Sequence, residues 1–102
     1  MKYRVVILSE AEAELEEAYC FIREDSPSSA KRWREKLLQK AKSLQSLPER
    51  CAVAPESDAL GAEVRHLVVG NYRVLFAIGT EAVTVLHIRH AARRRVTEEG
   101  KD

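Results

Sequence analysis

Cysteine is scarce in this chain: Cys20 and Cys51 are the only two among 102 residues, and they stand 31 positions apart. With no Cys-x-x-Cys and no second metal-like pair, neither a zinc site nor a dithiol redox motif is supported, and both are read as reduced thiols without a role. Long hydrophobic runs are missing as well, since none approaches the roughly 20 residues that span a bilayer. No membrane segment is expected. The first residues, Met1 to Leu8, pass directly into Ser9-Glu10 with no long hydrophobic segment and no small-residue cleavage site. That is unlike a secretory signal, and the expected compartment is the cytoplasm. Repeats and low-complexity segments are absent too.

What the chain does contain suits a folded globular domain: 45% apolar and 32% charged residues, with a net charge of +1. Its length allows one modest core and not two, so a single domain is expected over residues 1–95, followed by a polar tail, 96–102, read as mobile. The near-neutral total hides an uneven distribution. Residues 1–62 hold ten Lys/Arg against eleven Asp/Glu, whereas residues 63–95 hold six arginines against only Glu63 and Glu81. Within the first part, Ser9 to Asp25 carries seven acids and one arginine, while Lys31 to Lys42 carries six cations and one acid. Two neighbouring helices of opposite charge are thereby predicted to pair antiparallel, through rim contacts of small individual value.

Periodicity supplies the elements. Tyr3 to Leu8 is short, apolar and β-branched, which suits a strand. Ser9 with Glu12 three residues on reads as a capping box opening a helix to about Glu24, with Ala11, Leu15, Ala18, Tyr19 and Ile22 on one face. Ser26-Pro27 combines an N-cap with proline at the first helical position, and Ala30, Trp33, Leu37, Ala41, Leu44 and Leu47 trace a second stripe up to Pro48. Residues 49–62 include Pro55 and Gly61 and show no period, so a long loop is expected there, a candidate contact surface. Gly70-Asn71 is a hairpin turn between two strand-like runs, and Gly79-Thr80-Glu81 separates the next two. The predicted order is β-α-α-β-β-β: an α+β fold, its helical hairpin packed on one face of an antiparallel-rich four-stranded sheet. Alternation places Tyr72, Val74, Phe76 and Ile78 against the helices and Arg73 on the open side.

The last third is where function is expected. Its three strands carry Arg65, His66, Arg73, His87, Arg89 and His90 among apolar residues, and Arg93-Arg94-Arg95 follows. Cations on half-buried strands are costly unless they line a working face, so an anionic partner is expected there. His66 is read as an ordinary sheet residue. His87 shares a face with Arg89, and His90 faces the other way.

The run Arg65-His66-Leu67-Val68-Val69-Gly70-Asn71-Tyr72-Arg73-Val74-Leu75-Phe76, placed between a helical hairpin and a last strand ending in Arg89-His90-Ala91-Ala92-Arg93-Arg94, resembles the RelE/ParE superfamily of bacterial type II toxins, once described as plasmid stabilisation proteins. The likeness covers roughly residues 3–95. It implies a small cytoplasmic toxin held inactive by a cognate antitoxin in a hetero-oligomer, without cofactor or metal.

Two chemistries divide that superfamily. A RelE-like toxin cleaves mRNA on the ribosome, where Arg65 and Arg73 would stabilise the phosphorane and His90 would act as acid or base. A ParE-like toxin binds and inhibits DNA gyrase through protein contacts, without catalytic machinery. The second is favoured, because the segment before the second strand is acidic, no aromatic residue follows Phe76, and a net charge of +1 is low for a ribosome binder. Arg89, Arg93, Arg94, Arg95 and Trp33 are then the candidate contacts for target or antitoxin. An interaction module that keeps the fold but has lost toxicity is a third reading.

Overall fold

The computed structural model describes residues 2–91, so Arg93, Arg94, Arg95 and the polar tail lie outside the described residues. In chain order the elements are β1 (Arg4–Ile7), α1 (Ser9–Asp25), α2 (Pro27–Lys42), 3-10 turns at Ser43–Gln45 and Pro48–Arg50, a one-turn helix α3 (Ser57–Leu60), β2 (Arg65–Val69), β3 (Tyr72–Ile78) and β4 (Ala82–His90). The four strands form one sheet in the order β1-β4-β3-β2. β1 lies parallel to β4 and the other neighbours are antiparallel. This is the expected α+β architecture. The helical hairpin carries the chain from β1 at one edge of the sheet to β2 at the other, and β3 and β4 fill the space between by antiparallel returns. No helix of the described residues is long and apolar enough to cross a membrane.

Helix ends follow local chemistry, with two corrections to the sequence reading. Ser26 accepts a hydrogen bond from the Ser29 N–H at 3.2 Å and Pro27 opens α2, as expected. The capping box at Ser9 does not form: Leu8 is the N-cap, in extended backbone. Its N–H still donates to the Val85 C=O (3.1 Å) while its C=O accepts from the Glu12 N–H (2.9 Å), so strand pairing runs up to the helix and Ser9 already lies inside the first turn. The stripe of α2 also ends before Leu47. After Lys42 the chain tightens into a 3-10 turn, which keeps Leu44 buried. Leu47 then adopts a left-handed backbone (φ 49°) and is 73% exposed.

The main core lies between the helices and one face of the sheet. Ala11, Leu15 and Ala18 of α1, with Leu37 and Leu44, pack on Val69, Tyr72, Val74, Phe76, Val83, Val85 and Ile88. The alternation predicted for β3 therefore holds, and Arg73 points away from the helices. Its side is not open, however. The segment expected to be a loop folds back over that second face: Val53 bridges to Arg65 beside β2, and Ala54 and Val64 bury Leu75 in a separate small cluster. Arg73 is consequently only 9% exposed. The opposite charges of α1 and α2 meet in one ion pair between them among the described residues, Arg34 to Glu16 at 3.3 Å, with both side chains well exposed.

Candidate functional site

The register distributes the cationic residues over two faces. In antiparallel strands, directly opposed residues share a face. Gly70, at φ 60°, and Asn71 make a two-residue turn with glycine first, the type II′ pattern, so Val69 pairs with Tyr72 and Arg65 with Phe76. Arg65 is thus on the helix side. There its Nη1 donates to the Cys51 C=O (2.6 Å) and the Glu49 C=O (3.3 Å), and its Nη2 to Glu63 Oε2 (3.0 Å). It clamps the chain that precedes β2.

On the second face, His66, Leu75 and His87 form one row across the sheet, and Val68, Arg73 and Arg89 form the next. β4 reaches this arrangement through a bulge. Phe76 pairs with Val85 and Leu75 with His87, which leaves Leu86 as the extra residue and reverses the parity of the rest of the strand.

Arg73 is held by Glu56, which is 2% exposed. Nη1 of Arg73 donates to Oε1 at 3.1 Å and Nη2 donates to Oε2, a bidentate fork. The same Nη1 lies 3.0 Å from Nδ1 of His66. A guanidinium has no acceptor, so Nδ1 is the unprotonated nitrogen of that imidazole. The Arg73 hydrogen bonds hold the Glu56 carboxyl below the usual carboxylate range against the opposing effect of burial. Desolvation, reinforced by the Arg73 charge, lowers the pKa of His66.

A second carboxylate governs the far end of β4. β1 ends at Ile7 opposite Val85, so beyond that point β4 has no strand on this side. Glu14 of α1 takes the vacant place: it accepts the Ile88 N–H at 2.9 Å and the His87 Nδ1–H at 3.3 Å, and lies 3.8 Å from Nε of Arg89. One side chain covers an open strand edge and faces the Arg89 guanidinium.

The structure does not bring the three residues proposed for mRNA cleavage together. Arg73 is on the second face, Arg65 on the first, and His90 on the first at the opposite end, edge-on to Tyr72 with centroids 4.9 Å apart. Trp33 lies against the same Tyr72 at 4.9 Å, so it closes the core at that end of the hairpin. Arg89 is on the second face beside Glu14. Of the residues that organise the site, Glu14 and Glu56 were not singled out from sequence. Glu14 is one of five acids on an outward-looking helical face, and Glu56 lies in a stretch without period. Among the described residues no group of three His, Cys, Asp or Glu side chains is placed to hold a metal ion. Cys20 and Cys51 are both free thiols.

Comparison with known proteins gives the same frame. A family model described as the ParE toxin of the type II toxin-antitoxin system, parDE, matches residues 5–95. A solved structure of a chromosomal ParDE toxin-antitoxin system from P. aeruginosa superposes with a TM-score of 0.69 at 18% identity, covering 87% of this chain and 96% of the other. The archaeal RelE-RelB complex from Pyrococcus horikoshii OT3 superposes with a TM-score of 0.60 at 17% identity, covering 92% and 100%. None of the curated proteins matches. At these identities the superpositions establish a shared fold, and the family model, spanning nearly the whole chain, establishes the family: this protein belongs to the ParE toxins of type II toxin-antitoxin systems.

Proposed function

We propose that this toxin acts in the cytoplasm by binding and inhibiting DNA gyrase through protein contacts, and that a cognate antitoxin neutralises it in a hetero-oligomer. The observation that carries this reading is the internal pairing of the cations a nuclease would need. Cleavage at a ribose 2′-OH requires a base, an acid and cations converging on one phosphate. Here Arg73 is occupied by Glu56, Arg65 by Glu63 and two backbone carbonyls, and His90 lies across the sheet from Arg73. A protein-contact mechanism asks for none of that convergence. Arg89 and the following Arg93, Arg94 and Arg95, with the aromatic end formed by Trp33, are the proposed contacts for target or antitoxin.

The test is expression of the chain in a bacterial host, with purified gyrase assayed in parallel. Expected results are loss of supercoiling activity in vitro, DNA-damage signalling in cells and intact mRNA. Partial losses of toxicity should be spread along Arg89 to Arg95. Co-purified antitoxin, from the neighbouring reading frame, should raise the melting temperature. Ribosome-bound mRNA cut by the wild-type chain but not by Arg65→Ala would overturn the gyrase assignment. A chain with no effect on growth would show a fold that has lost its toxicity.

A further inference from the structure

The segment leading into β2 is attached to the sheet by means separable from the main core. Its apolar contribution is the small cluster of Ala54, Val64 and Leu75, with Leu86 packed against them, and none of these belongs to the cluster under the helices. The remaining attachment is polar. The His66 N–H donates to the Ala52 C=O (3.1 Å) and the Arg73 fork holds Glu56, while the Ala54 N–H bond to the Val64 C=O (2.6 Å) and Ser57 Oγ, which both donates to the Val64 C=O and accepts its N–H at 2.9 Å, close the segment on itself. Val53 and Leu60 on the segment remain exposed, as does Val68 on the sheet at 59%. Few buried apolar contacts over a hydrogen-bonded loop mark a unit that opens below the free energy of global unfolding.

Beneath this segment lies a receptor for one planar oxyanion. Two guanidinium nitrogens of Arg73 each hold one oxygen of the Glu56 carboxylate, an imidazole nitrogen shares Nη1, and the pocket is almost closed to water. In the free chain the ligand is supplied in cis. We propose that residues 52–64 form a strap over a carboxylate-binding site on the second face, with Glu56 as its tethered ligand, and that the site takes an acidic side chain of a bound polypeptide when the strap lifts. A carboxylate fits better than a nucleic-acid phosphate. The fork grips two coplanar oxygens of one carboxylate, and Glu14 at the β4 edge, which stays in place when the strap lifts, would repel a polyanion. This inference concerns the chain's own anion site and is independent of the gyrase reading.

The experiment uses the full chain and its Glu56→Ala variant, which vacates the fork. Acetate is expected to raise the melting temperature of E56A above that in chloride at equal ionic strength, while leaving the wild type and the double variant E56A/R73M unmoved. Should E56A be unfolded, the same comparison is made on acetate-dependent recovery of far-UV circular dichroism. A short peptide containing glutamate should act as acetate does, and its glutamine counterpart should not. In the wild type, the Ala54 and His66 amides should exchange with solvent faster than those of Val74 and Phe76. Indistinguishable acetate and chloride curves, an equal response from the double variant, or a stronger response to an oligonucleotide than to the acidic peptide would each overturn the site. Strap amides that exchange only together with the central strands would overturn the lifting.

Discussion

Arg73→Met keeps an unbranched stem and removes the fork that holds Glu56. The Glu56 side chain is 2% exposed and that of Arg73 10%, so the carboxylate left behind has neither its partner nor bulk water. Removing one member of a buried pair costs about 3–5 kcal/mol, with the free energy of lifting residues 52–64 as its ceiling, a large share of the roughly 5–15 kcal/mol that holds a domain together. With a urea m-value of about 1–3 kcal/mol/M, the unfolding midpoint should fall by roughly 2 M. The pH dependence adds a sign. In the wild type the folded pKa of Glu56 is depressed by Arg73, so on acidification the unfolded chain takes the proton first. The stabilisation from this group is therefore present above the unfolded carboxylate pKa and lost as pH falls through the folded one. In Arg73→Met the largest cause of the depression is gone and burial opposes only the weaker lowering by a backbone hydrogen bond and His66, so the folded pKa rises and the loss of stability on acidification shrinks. Glu56→Leu added to Arg73→Met removes the stranded charge and should restore most of the loss. A midpoint within about 0.3 M of wild type, or the same pH slope in both proteins, would refute the buried-pair account.

Three further outcomes are expected. The folded pKa of His66 is lowered by burial and by Arg73, so its contribution is fully present above an unfolded pKa of about 6.5 and is lost as pH falls below it through the lowered value. His66→Gln should flatten the stability-pH curve in that window, and an unchanged slope would count against the assignment. Glu14→Ala leaves the Ile88 N–H at the β4 edge without its acceptor and should cost about 1–3 kcal/mol in thermal melts, with faster exchange of that amide; an unaltered Ile88 amide would contradict the edge-covering role. Leu47→Gly relieves a left-handed leucine that buries little, and should stabilise by about 0.5–1 kcal/mol; a lower melting temperature would show that Leu47 packs in solution.

Signals confined to a few residues were legible in the sequence, and contacts across long separations were not. Ser26-Pro27, the stripe from Ala30 to Leu44 and the Gly70-Asn71 turn each state their structure locally, and together they give the hairpin of helices and the pairing of β2 with β3. The turn even decides the relation of Arg65 to Arg73. A two-residue loop at 70–71 pairs Arg73 with Val68, three positions from Arg65, which places the two arginines on opposite faces. His87 and Arg89 are a harder case. Strict alternation from Val83 and Val85 would put both under the helices, and only the bulge at Leu86 turns them outward. Nothing in the strand's own composition announces that bulge. Glu56 finds its partner 17 positions away and Glu14 its partners 73 to 75 positions away, beyond the reach of any periodic pattern.

Among the described residues, the arginines of the last three strands meet their anions within the fold. Glu14 and Glu56 both come from the first part of the chain, and folding delivers them to the arginines of the sheet: Glu56 to Arg73, Glu14 to Arg89. A cationic sheet face therefore need not be a ligand-binding surface, because its first anions are intramolecular. This changes how an alanine scan of the toxin must be read. Reduced toxicity in Arg73→Ala is the expected result whether or not the target touches Arg73, since the stranded Glu56 lowers stability and with it the abundance of folded chain in cells. The compensated pair Glu56→Leu/Arg73→Met separates the two. If it regains both its unfolding midpoint and its toxicity, the Arg73 charge serves the fold and not the target. A double variant as stable as wild type yet harmless to cells would instead place the Arg73 side chain in the toxic contact.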